Sequence, residues 1–369
     1  MLSGNILTPD GWRHGQLAFG HGRIAMLGGV PRDPAGNGHD YILPGFIDLH
    51  IHGALGLDTM DGATAATRIA RLHAQHGTTS LLATTVCTTH EKLAALLAEL
   101  AGPITRRPAN AARTLGVHLE GPYVNPGRLG GLPNEVRPAV LAELDEYMRL
   151  VPVKVVTLSP EIAGHEAIIR TLAERGVRVQ IGHTLGTYEE GVQALENGVA
   201  GFTHLYNAMT PLNHRAPGMV GAALAHAQYS ELIPDLIHVH PGAMKVALRS
   251  IPKLYCVTDA TQTAGLPDGS YTRRGRTVTK CLGAVTLPDG TLAGSALTMD
   301  VVLRNLVSLG LSIADASSRI SRNPADYLGL ADRGRLAQGA WGDAVVLDRD
   351  LRVKAVYVEG EAVDLTLAP

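Results

Sequence analysis

The chain has 369 residues, 45% of them hydrophobic, with 42 glycines and a formal net charge of −2. Such a length supplies a large core and by itself suggests two or three domains, although α/β barrels commonly run longer than average. The near-neutral charge offers no basic face for nucleic acid, and no run of eighteen or more apolar residues provides a membrane span.

The opening stretch MLSGNILTPDGWRHG lacks the charged-then-apolar pattern of a signal peptide. The next segment, QLAFGHGRIAMLGG, reads as short strands and turns, and its like returns only at the far end, in GDAVVLDRDLRVKAVYVEGEAV. Neither end carries a long helix. The two are expected to pair into a small β-sandwich domain, residues 1–44 plus 335–369, with residues 45–334 inserted between them.

At LPGFIDLHIHG a strand-like run ends with His50 and His52. Side chains alternate faces along a strand, so these two imidazoles point the same way. The pair alone is read equally as two hydrogen-bonded histidines or as half of a metal site. Seven more apolar runs follow: TSLLATTV, TLGVHLEG, VKVVTLSP, VRVQIGHT, GFTHLYN, ELIPDLIHV and LYCVTDA. Segments with helical spacing lie between most of them, among them ATAATRIARLHAQHG, EKLAALLAELAG, PAVLAELDEYMRLV and TYEEGVQALENG. Apolar strands alternating with helices indicate a parallel sheet covered on both faces. Eight such units are the count for a (β/α)8 TIM-type barrel, an α/β fold. An open doubly wound sheet is the alternative, and no Gly-rich first turn supports it. The turn-rich stretch LPDGSYTRRGRTVTKCLGAVTLPDGTLAGS after the eighth run reads as a hairpin excursion over the barrel mouth. Cys87, Cys256 and Cys281 are scattered and odd in number, which fits free thiols in a reducing cytoplasm.

Ionisable residues fall at the C-terminal ends of these runs, where barrels of this type carry their catalytic groups. The first run ends at His50 and His52, the third at Glu120, the fifth at His183, the sixth at His204 and the eighth at Asp259, while the seventh carries His238. Buried without partners, such groups would be costly, and a metal is the simplest partner all could share. Histidines with carboxylates suit zinc, iron, cobalt or manganese rather than calcium or magnesium. A metal of this kind makes hydroxide near neutral pH and polarises the carbonyl under attack. A carboxylate such as Asp259 can take the water's proton and hand it to the leaving group. His118 and His240 read as ordinary polar residues and are left out of the set.

LPGFIDLHIHG, HLEGPYVNP, GHTLGTYEEG, THLYNAMTPLNHRAPGMVG, VTDA and LAGSALTM occur in this order. Together they resemble the N-acetylglucosamine-6-phosphate deacetylase family of the amidohydrolase superfamily, over nearly the whole chain. The resemblance implies a hydrolase that removes acetyl from the nitrogen of a 6-phosphorylated amino sugar, most directly N-acetylglucosamine 6-phosphate. It implies one or two divalent metals per subunit, zinc foremost: one with Glu120, His183 and His204, and a second with His50 and His52, Glu120 bridging. Asp259 matches the catalytic acid and base. Asn207, Ala208 and Arg215 match the phosphate-binding group, the arginine reaching in from a neighbouring subunit of a homodimer or larger homo-oligomer. Gly131, Leu132, His238, Leu292, Ala293 and Gly294 match sugar-contacting positions. For Arg215 the physical chemistry agrees, since a guanidinium presents paired donors suited to phosphate.

Three departures from the family pattern lie near the expected sugar site. Leu132 stands where a substrate-contacting histidine is expected, Ala216 replaces a glutamate, and Leu236 and Ile237 replace an Asp-Gly pair. They leave the metal ligands and Asp259 untouched and open the choice of sugar to N-acetylgalactosamine 6-phosphate or another N-acyl amino sugar. Two rivals from other classes are a cyclic-amide amidohydrolase and a non-catalytic barrel scaffold. The first would want a bridging lysine at the end of the fourth strand, whereas Lys154 lies near its beginning. The second would be expected to have lost ligands or the base, and all are present.

Overall fold

The computed structural model describes residues 1–273 and 275–368. The eight apolar runs become eight strands in one ring: Phe46–Ile51, Thr78–Thr85, Arg113–Glu120, Val153–Leu158, Arg178–Ile181, Gly201–Phe202, Glu231–Leu232 and Tyr255–Cys256. The first six are hydrogen-bonded in sequence order as a parallel sheet, and the last two pair with each other. Backbone bonds close the ring at both gaps. The Leu205 N–H donates to the Glu231 carbonyl at 3.0 Å, and the Asp259 N–H donates to the His50 carbonyl at 2.9 Å. Every residue of Thr78–Thr85 is buried, as a strand covered on both faces requires. The outer cover comes from helices such as Ala63–Gln75, His90–Thr105 and Tyr188–Glu196. The last of these starts with a capping box, in which Thr187 and Glu190 satisfy each other's backbone N–H.

The sixth and seventh strands are two residues long, much shorter than their apolar runs. The backbone leaves the ring early because His204, Tyr206, Ala208 and Leu236 all take positive φ, a region a non-glycine residue enters only when its surroundings hold it there. His238 therefore sits in a loop beyond Leu232 and not on the seventh strand. The excursion after the eighth strand is a three-stranded antiparallel sheet, Gly269–Arg273, Arg276–Cys281 and Ala284–Thr286. Arg274, in its first turn, lies outside the described residues. The excursion sits on the mouth side, where Val278 lines a cavity with Met60 and Gly131.

Both chain ends meet in a seven-stranded sheet. Its order is 361–362, 353–358, 344–347, 41–44, 2–8, 11–20 and 23–31. Residues 344–347 run antiparallel to 41–44, which run parallel to 2–8, so the two ends interleave at the centre. Ile6, Leu17, Ile24, Ile42, Leu336, Ala340 and Ala344 form its apolar core. Pro369, assigned to this part from sequence, lies outside the described residues.

One carboxylate fastens this sheet to the barrel. Glu359 accepts from Arg113 at 2.8 Å through both oxygens, from Arg333 at 2.6 Å and from Arg107 at 3.1 Å. Burial would raise its pKa, but the hydrogen bonds from Arg113 and Arg333 prevail and bring it from an ordinary 4.5 down to about 2. The stabilisation is therefore complete above pH 4.5 and is lost as pH falls through about 2. Glu359→Gln should cost about 2–3 kcal/mol at neutral pH. The gap between variant and wild type in thermal melts should close as the buffer is acidified towards that lower range. A gap of constant size across the range would contradict this account.

Candidate metal and active site

The side chains singled out at the strand ends converge at the mouth. Glu120 Oε1 lies 3.1 Å from His183 Nε2 and 3.1 Å from His204 Nε2, and those two nitrogens are 3.0 Å apart. On the other side, Glu120 Oε2 is 3.1 Å from His52 Nε2, and Oε1 is 3.4 Å from His50 Nε2. His50 and His52 bring their Nε2 atoms to 3.1 Å from each other. Asp259 Oδ1 lies 3.2 Å from His52 Nε2 and 3.5 Å from His50 Nε2. All six residues are buried. Two ligand clusters meet at the Glu120 carboxylate, Glu120–His183–His204 and His50–His52–Asp259, and a third group, His50–His118–Glu231, shares His50.

The local backbone is bent to do this. His183, His204 and Asp259 have φ of 50°, 30° and 49°, conformations that cost of order 1–3 kcal/mol each. Fixed bonds hold them. The His183 carbonyl accepts from the Asn125 N–H at 3.0 Å and from the Ser159 hydroxyl at 2.7 Å. The Asp259 carbonyl accepts from the Ser295 N–H at 2.8 Å.

The outer hydrogen bonds decide which ring nitrogens carry protons. His183 Nδ1 donates to the Arg128 carbonyl at 2.8 Å, and His50 Nδ1 meets Glu231 Oε2 at 2.9 Å. In a neutral ring each Nε2 then carries a lone pair, aimed at carboxylate oxygens and at another imidazole. Lone pairs converging at 3.0–3.5 Å repel unless positive charge sits among them. The site asks for that charge in another way as well. Burial disfavours a cationic His50, yet the carboxylates of Glu120, Glu231 and Asp259 outweigh burial and raise its pKa well above the usual imidazole value. Burial likewise pushes Asp259 up, but His50 and His52 bring it down to about 2, so it is ionised at neutral pH. A set of imidazole nitrogens and carboxylates, dry and converging, fits a divalent transition metal or zinc.

Above the clusters is a cavity of about 320 Å³, lined among others by His52, Glu120, Leu132, His183, His204 and Asp259. Of the remaining candidates it also takes in Gly131, Asn207, Ala208, His238, Leu292 and Gly294. Ala293 is buried behind the wall, where a Cβ on Gly131 would come within 3.2 Å of its Cβ. Arg215 is exposed and does not line this cavity. Among the departing residues only Leu132 reaches the wall. Ala216, Leu236 and Ile237, expected near the sugar site, are solvent-exposed and do not line this cavity. A larger cavity of about 580 Å³ lies across Gly131, beside helix His90–Thr105, and none of the clustered ligands lines it.

Two residues that the sequence reading passed over hold the clusters from behind. Asp48 accepts from the Thr258 hydroxyl at 2.6 Å and from the His50 N–H at 3.2 Å, tying the first strand to the eighth. Burial pushes its carboxyl up to about 7. Glu231 begins the seventh strand, fully buried against His50. Both are carboxylates within apolar runs, Asp48 two residues ahead of His50 and Glu231 seven ahead of His238, and that was the available signal. His118 is spent on the Leu49 carbonyl at 3.1 Å and the Thr157 hydroxyl at 2.8 Å, and His240 caps the helix Pro241–Ser250.

Residues 41–363 match the amidohydrolase family, and the chain belongs to that family of metal-dependent hydrolases. Among similar proteins is the N-acetylgalactosamine-6-phosphate deacetylase of Escherichia coli O157:H7, 37% identical over 96% of this chain and 97% of the relative. The N-acetylglucosamine-6-phosphate deacetylase of Bacillus subtilis (strain 168) is 36% identical over 94% and 92%. A crystal structure of N-acetylglucosamine-6-phosphate deacetylase from Thermotoga maritima superposes with a TM-score of 0.90 at 34% identity, covering 99% of each chain. No helix among the described residues is long and apolar enough to cross a membrane.

Gly294 supports Asp259 directly. Its φ is 66°, and a Cβ there would fall 2.4 Å from Thr261 Cγ2 and 2.9 Å from the Asp259 carbonyl oxygen. Gly294→Ala should therefore displace Asp259 while the barrel stays folded. Displacing a reacting group by about 1 Å costs roughly 10²-fold, so kcat should fall by about that factor while far-UV circular dichroism stays unchanged. Unaltered kcat would show that the eighth strand end absorbs the added methyl group.

Proposed function

We propose that the protein removes the N-acetyl group from a 6-phosphorylated amino sugar, N-acetylglucosamine 6-phosphate first, yielding glucosamine 6-phosphate and acetate. The observation that carries this reading is the Glu120 carboxylate set between two imidazole clusters at the floor of a cavity that also presents Asp259, His238 and Asn207. The relatives matched along the whole chain carry the same chemistry in their names.

In this reading Glu120, His183 and His204 would hold one ion, and His50 and His52 would hold a second beside Glu120. Zinc is the first choice, and iron, cobalt and manganese suit the same donors. Such an ion, when bound, supplies an acidified water and polarises the amide carbonyl. Asp259, ionised and beside His52, accepts the proton of the attacking water and delivers it to the sugar nitrogen as the C–N bond breaks. His238 is fixed by its Nδ1 contact to Asp235 Oδ2 at 2.6 Å, which leaves Nε2 for the sugar. Asn207 and Ala208 line the cavity and take the phosphate. The exposed Arg215 completes that phosphate site in a neighbouring subunit, which makes the functional unit a homodimer or larger homo-oligomer. Cysteines as few and scattered as Cys87, Cys256 and Cys281 suit a cytoplasmic setting.

A second reading is favoured by one observation. Leu132 lines the cavity where a hydrogen-bonding side chain would serve the sugar, and leucine neither donates nor accepts. N-acetylgalactosamine 6-phosphate is then the preferred substrate.

The test is acetate release from N-acetylglucosamine 6-phosphate, N-acetylgalactosamine 6-phosphate and their unphosphorylated forms. Hydrolysis should require the phosphate, and the ratio of the two kcat/KM values decides between the readings. Asp259→Asn should lower kcat about 10²–10⁴-fold with little change in KM. No acetate from either phosphorylated sugar, or Asp259→Asn with wild-type turnover, would overturn the proposal.

A further inference from the structure

We infer that Glu231 is a positioning residue that sets the affinity of the second ion by holding His50, and that it ties the two ligand clusters together. The inference rests on the two-ion reading above and adds to it a residue that touches neither the substrate nor the ions.

Glu231 lies at the start of the seventh strand with its side chain inside the ring, and it is completely inaccessible to solvent. Oε2 meets His50 Nδ1 at 2.9 Å and accepts from the His204 N–H at 3.2 Å. Oε1 accepts from the Tyr255 hydroxyl at 3.4 Å, which in turn accepts from Gln180 Nε2 at 2.6 Å. One carboxylate oxygen therefore touches a residue of each cluster, the ring of His50 in one and the backbone of His204 in the other.

The two contacts do different work. At His50 the carboxylate keeps the proton on Nδ1 and so leaves the Nε2 lone pair for an ion, and it makes that nitrogen a stronger donor. At His204 it satisfies the N–H of a residue whose φ of 30° has taken it out of the strand ladder. His52 has no such support, since its Nδ1 is buried without a partner. His50 is therefore the oriented ligand of the second cluster, and its orientation depends on Glu231. On the other cluster, His183 is oriented by the Arg128 carbonyl and not by Glu231. Losing the Glu231 charge should weaken the second ion far more than the first.

Outer carboxylates on a ligating imidazole are typically worth about 10–100-fold in metal affinity. The experiment is a titration of metal-free protein with Co²⁺, read by its visible absorption and by calorimetry, on wild type, E231Q and Y255F. Wild type should take up two ions per chain. E231Q should take up the first with near wild-type affinity and the second about 10–100-fold more weakly. Y255F disturbs the same buried network without touching His50 and should shift the second affinity by less than about threefold. If E231Q does not fold, E231D withdraws the carboxylate by one methylene and is read in the same way. Two wild-type affinities in E231Q would overturn the assignment, as would an equal loss at both sites or an equal loss in Y255F. A single ion in wild type would overturn the two-ion reading, and the assignment with it.

Discussion

The Glu120 carboxylate is the constraint on which the site depends. Four imidazole nitrogens lie within 3.1–3.4 Å of its two oxygens, each brought from a strand end or just beyond one. Buried charge at that density is stable only when it is neutralised in place. Burial would raise the Glu120 pKa, yet His50 and the hydrogen-bonding rings of His183 and His204 depress it well below the usual carboxylate range. The carboxylate is thus ionised at neutral pH, shared between the clusters, and in need of positive charge on both sides.

The fold meets this demand by closing the ring at the strands that carry the ligands. The bond from the Asp259 N–H to the His50 carbonyl is at once the seam of the barrel and a link between two members of one side-chain cluster. Asp48 and Thr258 reinforce that seam one step below. Left-handed backbone at His183, His204 and Asp259 turns the chain over the mouth at three points. That strain is affordable because the surrounding strands are fully buried and hydrogen-bonded. Farther out, Glu359 and three arginines lock the sheet of the chain ends against the strands that lead to the mouth.

Most of this architecture is legible in the sequence because a parallel barrel writes its strands as apolar runs and its site at their ends. His50, His52, Glu120, His183, His204 and Asp259 could be read for that reason. Strand length could not be read at Gly201–Phe202 and Glu231–Leu232, since the apolar run continues after the backbone has turned away. Glu231 was hidden because it begins a strand, whereas attention falls on strand ends, and only the closed ring brings it to His50. Leu132 lines the cavity wall, whereas Ala216, Leu236 and Ile237 face solvent. Nearness in sequence to a site residue does not decide which way a loop side chain faces.

Metal analysis of Glu120→Gln tests the central claim most directly. The amide keeps the size of the side chain and removes the charge that both clusters share. Atomic emission on purified, desalted protein should give less than one ion per chain, against two for wild type, with a cooperative melt preserved. A Glu120→Gln protein that keeps both ions through desalting would contradict the account, because neither cluster would then depend on the carboxylate between them.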